Sequence, residues 1–268
     1  SYIDSFRVYR ETIVTNFPPV WVDHLRFTPS SSAEALKIHA VEGRDSLSLG
    51  PIKIAKDILH FILPLGGLSW GLKKFGCTLW YWPMILLAGI AAFLRDPRRA
   101  IKADRRLALS ACDGTVLDVA IVKDPHLGDG EWLRIATFLS IFNVHINRSP
   151  VSGKIVDQFD VKGGYASANL PKANHNYSTY VILETEHGPV VVAQRVGLIA
   201  RRIYNWVNRG ELLAQGERYG LIRMGSRTDV YLPCNKYRSL VKVGDKIQAG
   251  LTPIATLIDE HKEDSSIG

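Results

Sequence analysis

An uncharged run of 18 residues, from Cys77 to Leu94, limits most strongly what this chain can fold into. Its length lies at the short end of the roughly 17–25 apolar residues that span a bilayer as one helix. Pro83 and Gly89 interrupt the run. It therefore fits a spanning helix and a re-entrant or interfacial helical hairpin equally well. A buried helical pair in a soluble core is the remaining alternative.

The apolar character begins near Asp57 and ends in a basic segment. Residues 57–72 are mostly apolar, Lys73 and Lys74 follow them, and residues 95–106 carry six Arg and Lys side chains. Basic residues beside an apolar helix are typical of the cytoplasmic side of a membrane, next to anionic headgroups. We therefore expect residues 57–106 to be a helical region associated with the cytoplasmic side of the cell membrane. Residues 1–56 form an N-terminal extension to which no role is assigned.

Beyond residue 107 the sequence changes to short β-branched and aromatic runs separated by Gly, Pro, Asn and Asp. This spacing is typical of a mainly β domain. His187 and Gly188 separate two such runs as a hairpin turn does. Residues 242–250, KVGDKIQAG, look like the hairpin of lipoyl-type domains, without the lysine triplet that carries a lipoyl group. The predicted fold class is α+β, with residues 107–268 forming one β-rich domain.

Charge restricts the kinds of partner that suit the chain, and the cysteines and histidines bear on disulfide and metal sites. The formal net charge of +7 and the pI of about 9.3 suit an anionic partner, either nucleic acid or a phospholipid surface, and charge alone does not choose between them. The three cysteines form no CxxC pair, which argues against a disulfide framework or a structural zinc site. The histidines lack metal-ligand spacing, so no metal is predicted.

Three segments carry side chains of catalytic type: ACDGTV (111–116), FNVHINRSPVSGK (142–154) and RMGSRTDVYLP (223–233). Asp113, His145 and Ser226 would supply the orienting carboxylate, the base and the nucleophile of a catalytic triad. Residue types alone are weak evidence, because a triad is recognised by its geometry. Asp-Gly is also an ordinary turn, and His145 alternates with apolar neighbours as a structural histidine in a strand would.

These segments, together with FLRDPRR (93–99) and LIARRI (198–203), resemble the phosphatidylserine decarboxylases, particularly their short bacterial and archaeal forms. The resemblance covers about residues 80–253. It implies that the chain cuts itself between Gly225 and Ser226 into fragments 1–225 and 226–268, which remain together as a heterodimer. Further oligomerisation of that heterodimer is left open.

The same resemblance implies a reaction. His145, with Asp113 behind it, would activate Ser226, which becomes a covalent pyruvoyl group. This group would form a Schiff base with the amine of phosphatidylserine, and loss of carbon dioxide would give phosphatidylethanolamine at the membrane. The implied partners are phosphatidylserine and an anionic membrane surface, and no nucleic acid.

The sequence departs from the longer enzymes of the family at two places. Those enzymes have a Leu-Gly-Ser-Thr cleavage motif, where this chain has MGSR as the short forms do, and a second histidine where this chain has Phe142. Asn143 is a candidate to replace that histidine in handling the substrate. Arg201 and Arg202 are candidates for binding the lipid phosphate, because guanidinium groups bind phosphate in a bidentate manner.

Two other functions remain open. A serine hydrolase could use Asp113, His145 and Ser226 without cutting itself, although Ser226 lacks the GxSxG motif of the α/β-hydrolases. A non-catalytic β module bound to a membrane surface would keep only the fold and the basic, apolar N-terminal region.

Overall fold

The computed structural model describes residues 46–49, 52–55, 58–198, 202–222 and 225–258. Its two α-helices are α1 (Leu59–Lys74) and α2 (Trp82–Phe93). The strands are β1 (Ser46–Leu49), β2 (Ile52–Ala55), β3 (Arg95–Pro97), β4 (Leu107–Leu109), β5 (Gly114–Lys123), β6 (Glu131–Leu139), β7 (Ile146–Arg148), β8 (Gly153–Val161), β9 (Ser178–Thr185), β10 (Gly188–Arg195), β11 (Ile203–Asn205), β12 (Leu212–Leu213), β13 (Arg218–Ile222), β14 (Ser226–Pro233), β15 (Tyr237–Ser239), β16 (Lys246–Ile247) and β17 (Pro253–Leu257).

The apolar region forms two helices that pack against each other. Gly76 has a φ of +71° just after α1, a conformation that ends a helix and favours glycine. Pro83 lies in the first turn of α2, where its missing N–H is not needed. The Ser69 hydroxyl donates to the Trp80 carbonyl over 2.7 Å and ties α1 to the connection. Of the region predicted to be helical, residues 59–74 and 82–93 are helical, whereas Arg95–Pro97 form β3. Within the described residues no helix is long and apolar enough to cross a membrane.

An antiparallel sheet of eight strands forms the centre of the fold, in the order β12-β8-β9-β10-β14-β6-β5-β16. β14 lies inside this sheet, between β10 and β6. Because side chains alternate along a strand, the sheet has two faces. One face packs into an aliphatic core that includes Val192 and Val230, and the other carries a smaller cluster around Tyr180 and Tyr231. The described part of the chain is therefore mainly β, with two helices.

Three smaller antiparallel sheets flank the large one: β1-β2-β3, β11-β13-β7 and β15-β17-β4. The predicted hairpin around His187 and Gly188 is confirmed, since β9 and β10 pair along their whole lengths. The expected local hairpin in residues 242–250 is not formed. There β16 pairs with β5, while β15 pairs with β17, because Gly244 and Gly250 turn the chain on both sides of β16 at positive φ.

Candidate active site

Ser226 is the first residue of β14 and is fully buried. Gly225 before it has a φ of +62°, in the left-handed region that favours glycine. A Cβ on Gly225 would meet no atom within 4 Å, so the backbone conformation accounts for glycine here. The Ser226 hydroxyl has no hydrogen-bond partner within the described ranges. A buried hydroxyl without a partner needs an explanation, and a catalytic role is one such explanation.

The fold links the stretch that contains His145 to the stretch that ends at Ser226. Ser226 pairs with Leu139 at the end of β6, and the Ile222 N–H donates to the His145 carbonyl over 3.2 Å. Both ends of the stretch from Ile222 to Ser226 are therefore held by the stretch from Leu139 to His145. The two residues that the sequence motifs single out as base and nucleophile lie on these two facing stretches.

The His145 side chain is buried and held as a neutral base. Its Nδ1 lies 2.9 Å from the Asn143 carbonyl oxygen, which accepts only if Nδ1 carries the proton, so Nε2 is left as an acceptor. Nε2 is buried without a partner among the described residues. The Phe93 ring packs on the imidazole with centroids 4.3 Å apart. Burial, together with the charge of Arg95, lowers the pKa of His145 to about 4, so the imidazole is neutral at neutral pH.

Asp113 lies in the turn before β5, and its carboxylate is bound to other groups than His145. Arg99 donates to both oxygens, each over 2.7 Å, and the Ala249 N–H donates to one of them over 2.8 Å. Since the Asn143 carbonyl holds the Nδ1 proton of His145, Asp113 acts on His145 here only through its charge, which raises the pKa of the imidazole. A direct Asp113–His145 pair stays a prediction.

Asn143, Arg201 and Arg202 are the remaining residues that the sequence proposed for binding the substrate. The Asn143 side chain accepts from the backbone N–H and the hydroxyl of Ser140, over 2.9 and 2.7 Å, and so closes the turn before His145. Its role with substrate stays a prediction. Arg201 lies outside the described residues, and Arg202 is exposed just before β11.

A buried ionic cluster that sequence reasoning missed lies directly behind Ser226. Asp229 accepts from Arg195 over 2.8 Å and from Arg227 over 2.6 and 2.9 Å. Arg195 also donates to the Tyr180 and Tyr231 hydroxyls, each over 2.8 Å. These two arginines are therefore engaged inside the protein rather than free for a lipid phosphate. The alternation of side chains along β14 predicts that Arg227 and Asp229 share one face, but it does not reveal Arg195 of β10 as their partner.

Comparison with known proteins agrees with the motifs. The sequence model of the phosphatidylserine decarboxylase family matches residues 86–255. A phosphatidylserine decarboxylase proenzyme of Ralstonia nicotianae is 40% identical over 212 residues, covering 78% of this chain and 92% of the relative. One of Aromatoleum aromaticum is 42% identical over 189 residues, covering 70% and 86%.

The chain belongs to the phosphatidylserine decarboxylase family. The matched range contains Asp113, His145 and Ser226, and it begins inside α2, so the C-terminal part of this helix lies within it. Membership of this family favours a self-processing decarboxylase over a serine hydrolase or a non-catalytic module.

The Cys112 thiol and a bound metal ion are two alternatives to a serine nucleophile. Cys112 is a buried free thiol next to Asp113, and burial raises its pKa far above the usual value, so the thiol stays protonated and unreactive. In the described ranges, His, Cys, Asp and Glu side chains form no group that could hold a metal ion.

Proposed function

We propose that this chain cuts itself between Gly225 and Ser226, carries a pyruvoyl group at residue 226 and converts phosphatidylserine to phosphatidylethanolamine at the membrane surface. The relatives named as phosphatidylserine decarboxylase proenzymes support this function. The observation that carries it is the buried Ser226 hydroxyl, which has no hydrogen-bond partner among the described residues and follows a glycine of positive φ. The stretch that ends at Ser226 is bonded to the stretch that contains the neutral His145.

Self-cleavage follows from these groups. The His145 Nε2 takes the proton of the Ser226 hydroxyl, and the oxygen attacks the carbonyl carbon of Gly225. The peptide C–N bond breaks as the protonated His145 passes this proton to the nitrogen of residue 226, which leaves as an amine, and an ester joins the two chains. Loss of the α-proton of residue 226 then expels the Gly225 carboxylate and leaves dehydroalanine, which water converts to a ketone with release of ammonia.

The surroundings of residue 226 fit this ketone. The position is shielded from solvent, and Gln194, which is paired with Thr228 on the neighbouring strand, has a buried Oε1 atom without a partner in the described part of the chain. Gln194 and the His145 Nε2 are suited to hold the polar serine headgroup. The pyruvoyl group supplies an electron sink when carbon dioxide leaves.

The fold explains how the two fragments would stay together. β14 begins at residue 226 and remains paired with β10 and β6, which belong to the larger fragment. β16 and β17 of the smaller fragment pair with β5 and β4 of the larger one. Four interleaved strand pairs and a shared core therefore hold the fragments as a heterodimer after the peptide bond is gone.

Fragment analysis tests the proposed function. We expect the purified protein to migrate as one species under native conditions and as two chains, residues 1–225 and 226–268, under denaturing conditions. The smaller chain should resist stepwise N-terminal degradation, because a pyruvoyl group has no α-amine. Its mass should be lower by one ammonia than that of the peptide with N-terminal serine, and borohydride should abolish decarboxylation.

A single intact chain with a reactive serine would instead support a serine hydrolase. A small fragment that degrades normally from Ser226 would mean ordinary proteolysis. Either result would contradict the proposed function.

The membrane part of the proposal is supported by the surface of α1, α2 and their connection. This surface, called here the apolar helical surface, exposes large side chains to solvent: Leu59, Ile62, Leu63, Leu68, Trp70, Phe75, Leu79, Trp80, Tyr81, Trp82, Met84, Ile85 and Leu86. A contiguous exposed apolar surface of this kind marks an interaction site. Lys73 and Lys74 lie over the rings of Trp80 and Trp70, at 5.0 and 5.3 Å, so cations accompany the aromatic residues as at a membrane interface.

The opposite side of α2 contacts the candidate active site. Leu87 and Ile90 pack into a cluster with Val144 and Leu221, and Phe93 covers the His145 ring. A lipid bilayer touching the apolar helical surface would therefore lie one helix away from the catalytic histidine. We infer a peripheral or shallow position on the cytoplasmic face, next to the basic residues that follow α2.

Vesicle binding tests this position. Replacing Leu63, Trp70 and Phe75, which are 81%, 68% and 87% exposed, together by serine should weaken binding to vesicles containing phosphatidylserine by at least about tenfold, because each loses roughly 1.5–3 kcal/mol of apolar burial. The measurement is co-sedimentation at fixed ionic strength.

The matched control replaces three apolar residues that are also well exposed but lie elsewhere, Ile121, Leu212 and Val243, by serine. We expect it to bind vesicles as the unchanged protein does. Equal binding by both triple variants would contradict the proposed membrane surface.

A further inference from the structure

Gly197 lies against the carbonyl group that self-cleavage would attack. A Cβ added to Gly197 would overlap the carbonyl oxygen of Gly225. Gly197 is the second residue after β10, and continuing the pairing of Arg195 with Arg227 places Gly197 directly opposite Gly225. The absence of a side chain at residue 197 is therefore what leaves room for the Gly225 carbonyl oxygen.

The backbone at Gly197 is fixed from its other side. The Val196 N–H donates to the Tyr177 carbonyl over 3.1 Å, and the Asn176 side chain donates to the Val196 carbonyl over 2.7 Å. Asn176 is itself buried and bonded twice to Ala166, over 2.8 Å each. Gly197 therefore cannot easily move away from Gly225.

The direction of the Gly197 N–H follows from strand geometry. In an antiparallel sheet the N–H groups of consecutive residues point to opposite neighbouring strands. Since the Val196 N–H points to the β9 side, the Gly197 N–H points to the β14 side, where Gly225 lies. Among the described residues, no backbone carbonyl in the turns and loops accepts a hydrogen bond from the Gly197 N–H.

We propose that Gly197 positions the Gly225 carbonyl for attack by Ser226, and that the Gly197 N–H donates to its oxygen as negative charge develops there. The proposal rests on the self-cleavage proposed above and adds the group that stabilises the oxyanion. Preorganised backbone N–H groups do this where acyl groups are transferred, and they are aimed at the charged oxygen rather than at the ground-state carbonyl.

The first test is Gly197→Ala, which adds one carbon where the carbonyl oxygen lies. We expect self-cleavage to slow by at least about a hundredfold, the effect of losing an oxyanion donor. The matched control is Gly153→Ala. There the added Cβ would meet the Glu184 carbonyl oxygen at 2.7 Å, a milder steric conflict with a backbone carbonyl at the far end of β9. This control should lose stability and still cut itself at the normal rate.

Hydroxylamine locates the blocked step. It cleaves an ester between residues 225 and 226 but leaves an amide intact, so it releases fragments from a variant stalled after the acyl shift. We expect none from Gly197→Ala. Release of fragments would place the defect at the later elimination and overturn the proposal, as would normal cleavage in a folded Gly197→Ala protein.

A second variant decides the question if Gly197→Ala does not fold. Replacing Gly197 by glycolic acid turns its N–H into an oxygen and adds no bulk. Cleavage slowed about 10²–10³-fold is the expected result. A rate within about twofold of the unchanged chain would overturn the proposal, since an oxyanion donor contributes far more than that. Cleavage of the unchanged chain, measured first, tests the proposed function separately from the role of Gly197.

Discussion

Replacement of Ser226 by alanine is expected to leave the chain uncut and without decarboxylase activity, at unchanged stability. The change removes the oxygen that would attack Gly225 and the atoms that would become the ketone. Because the Ser226 hydroxyl has no hydrogen-bond partner among the described residues, its removal leaves no buried group unsatisfied. We therefore expect denaturing electrophoresis to show one chain, with a thermal midpoint no lower than that of the unchanged protein.

Ser149→Ala is the matched control. Ser149 is equally buried, but its hydroxyl donates to the Val151 carbonyl over 2.7 Å. Its loss should lower the free energy of unfolding by about 1 kcal/mol and leave self-cleavage intact. Two fragments from the Ser226→Ala chain would show that the cut lies elsewhere.

The sequence identified the family and predicted His145 and Ser226 as site residues, because short motifs carry both, and the pairing of these two side chains stays a prediction. His145 and Ser226 lie in segments whose strands, β7 and β14, could be read from their alternation. The ion-pair partner of Asp113 could not be predicted from this alternation. Arg99 was assigned to a basic flank on charge alone, while in the fold it binds Asp113 and also donates to the Ala249 carbonyl over 2.6 Å, across a separation of 150 residues.

The same limit applies to Gly197 and to the apolar helices. The place of Gly197 depends on the register of β10 against β14, and a shift of one residue would put Val196 or Leu198 against the carbonyl instead. The apolar run allowed one long helix or two short ones. Pro83 favours a helix start, but only packing of α2 on Val144 and Leu221 shows which face it buries.

Replacement of Asp229 by alanine is expected to cause the largest loss of stability. Asp229 is fully buried and balances two buried guanidinium groups, those of Arg195 and Arg227. Removing one partner of a buried ion pair leaves an uncompensated charge, which destabilises a protein by about 3–5 kcal/mol. Chemical denaturation of the uncut Ser226→Ala background, with and without the change, measures the effect without interference from cleavage.

Glu186→Ala is the control for this prediction. Glu186 pairs with Arg105 over 3.8 Å, and both side chains are well exposed, so the change should alter the free energy of unfolding by less than about 1 kcal/mol. A similarly small effect for Asp229→Ala would mean that the buried cluster does not hold the sheet together.

The pH dependence should separate the charge of Asp229 from its size. Burial alone would raise the pKa of Asp229, but the charges of Arg227 and Arg195 lower it below the ordinary value of 3.8. A carboxyl group with a lowered pKa stabilises the folded state above its unfolded pKa, and this contribution is lost as the pH falls through the folded pKa. The difference in unfolding free energy between the Ser226→Ala chain and its Asp229→Asn derivative should thus be constant above about pH 5 and narrow below pH 3.8. A difference that stays constant down to the lowest pH would show that the charge of Asp229 does not stabilise the fold.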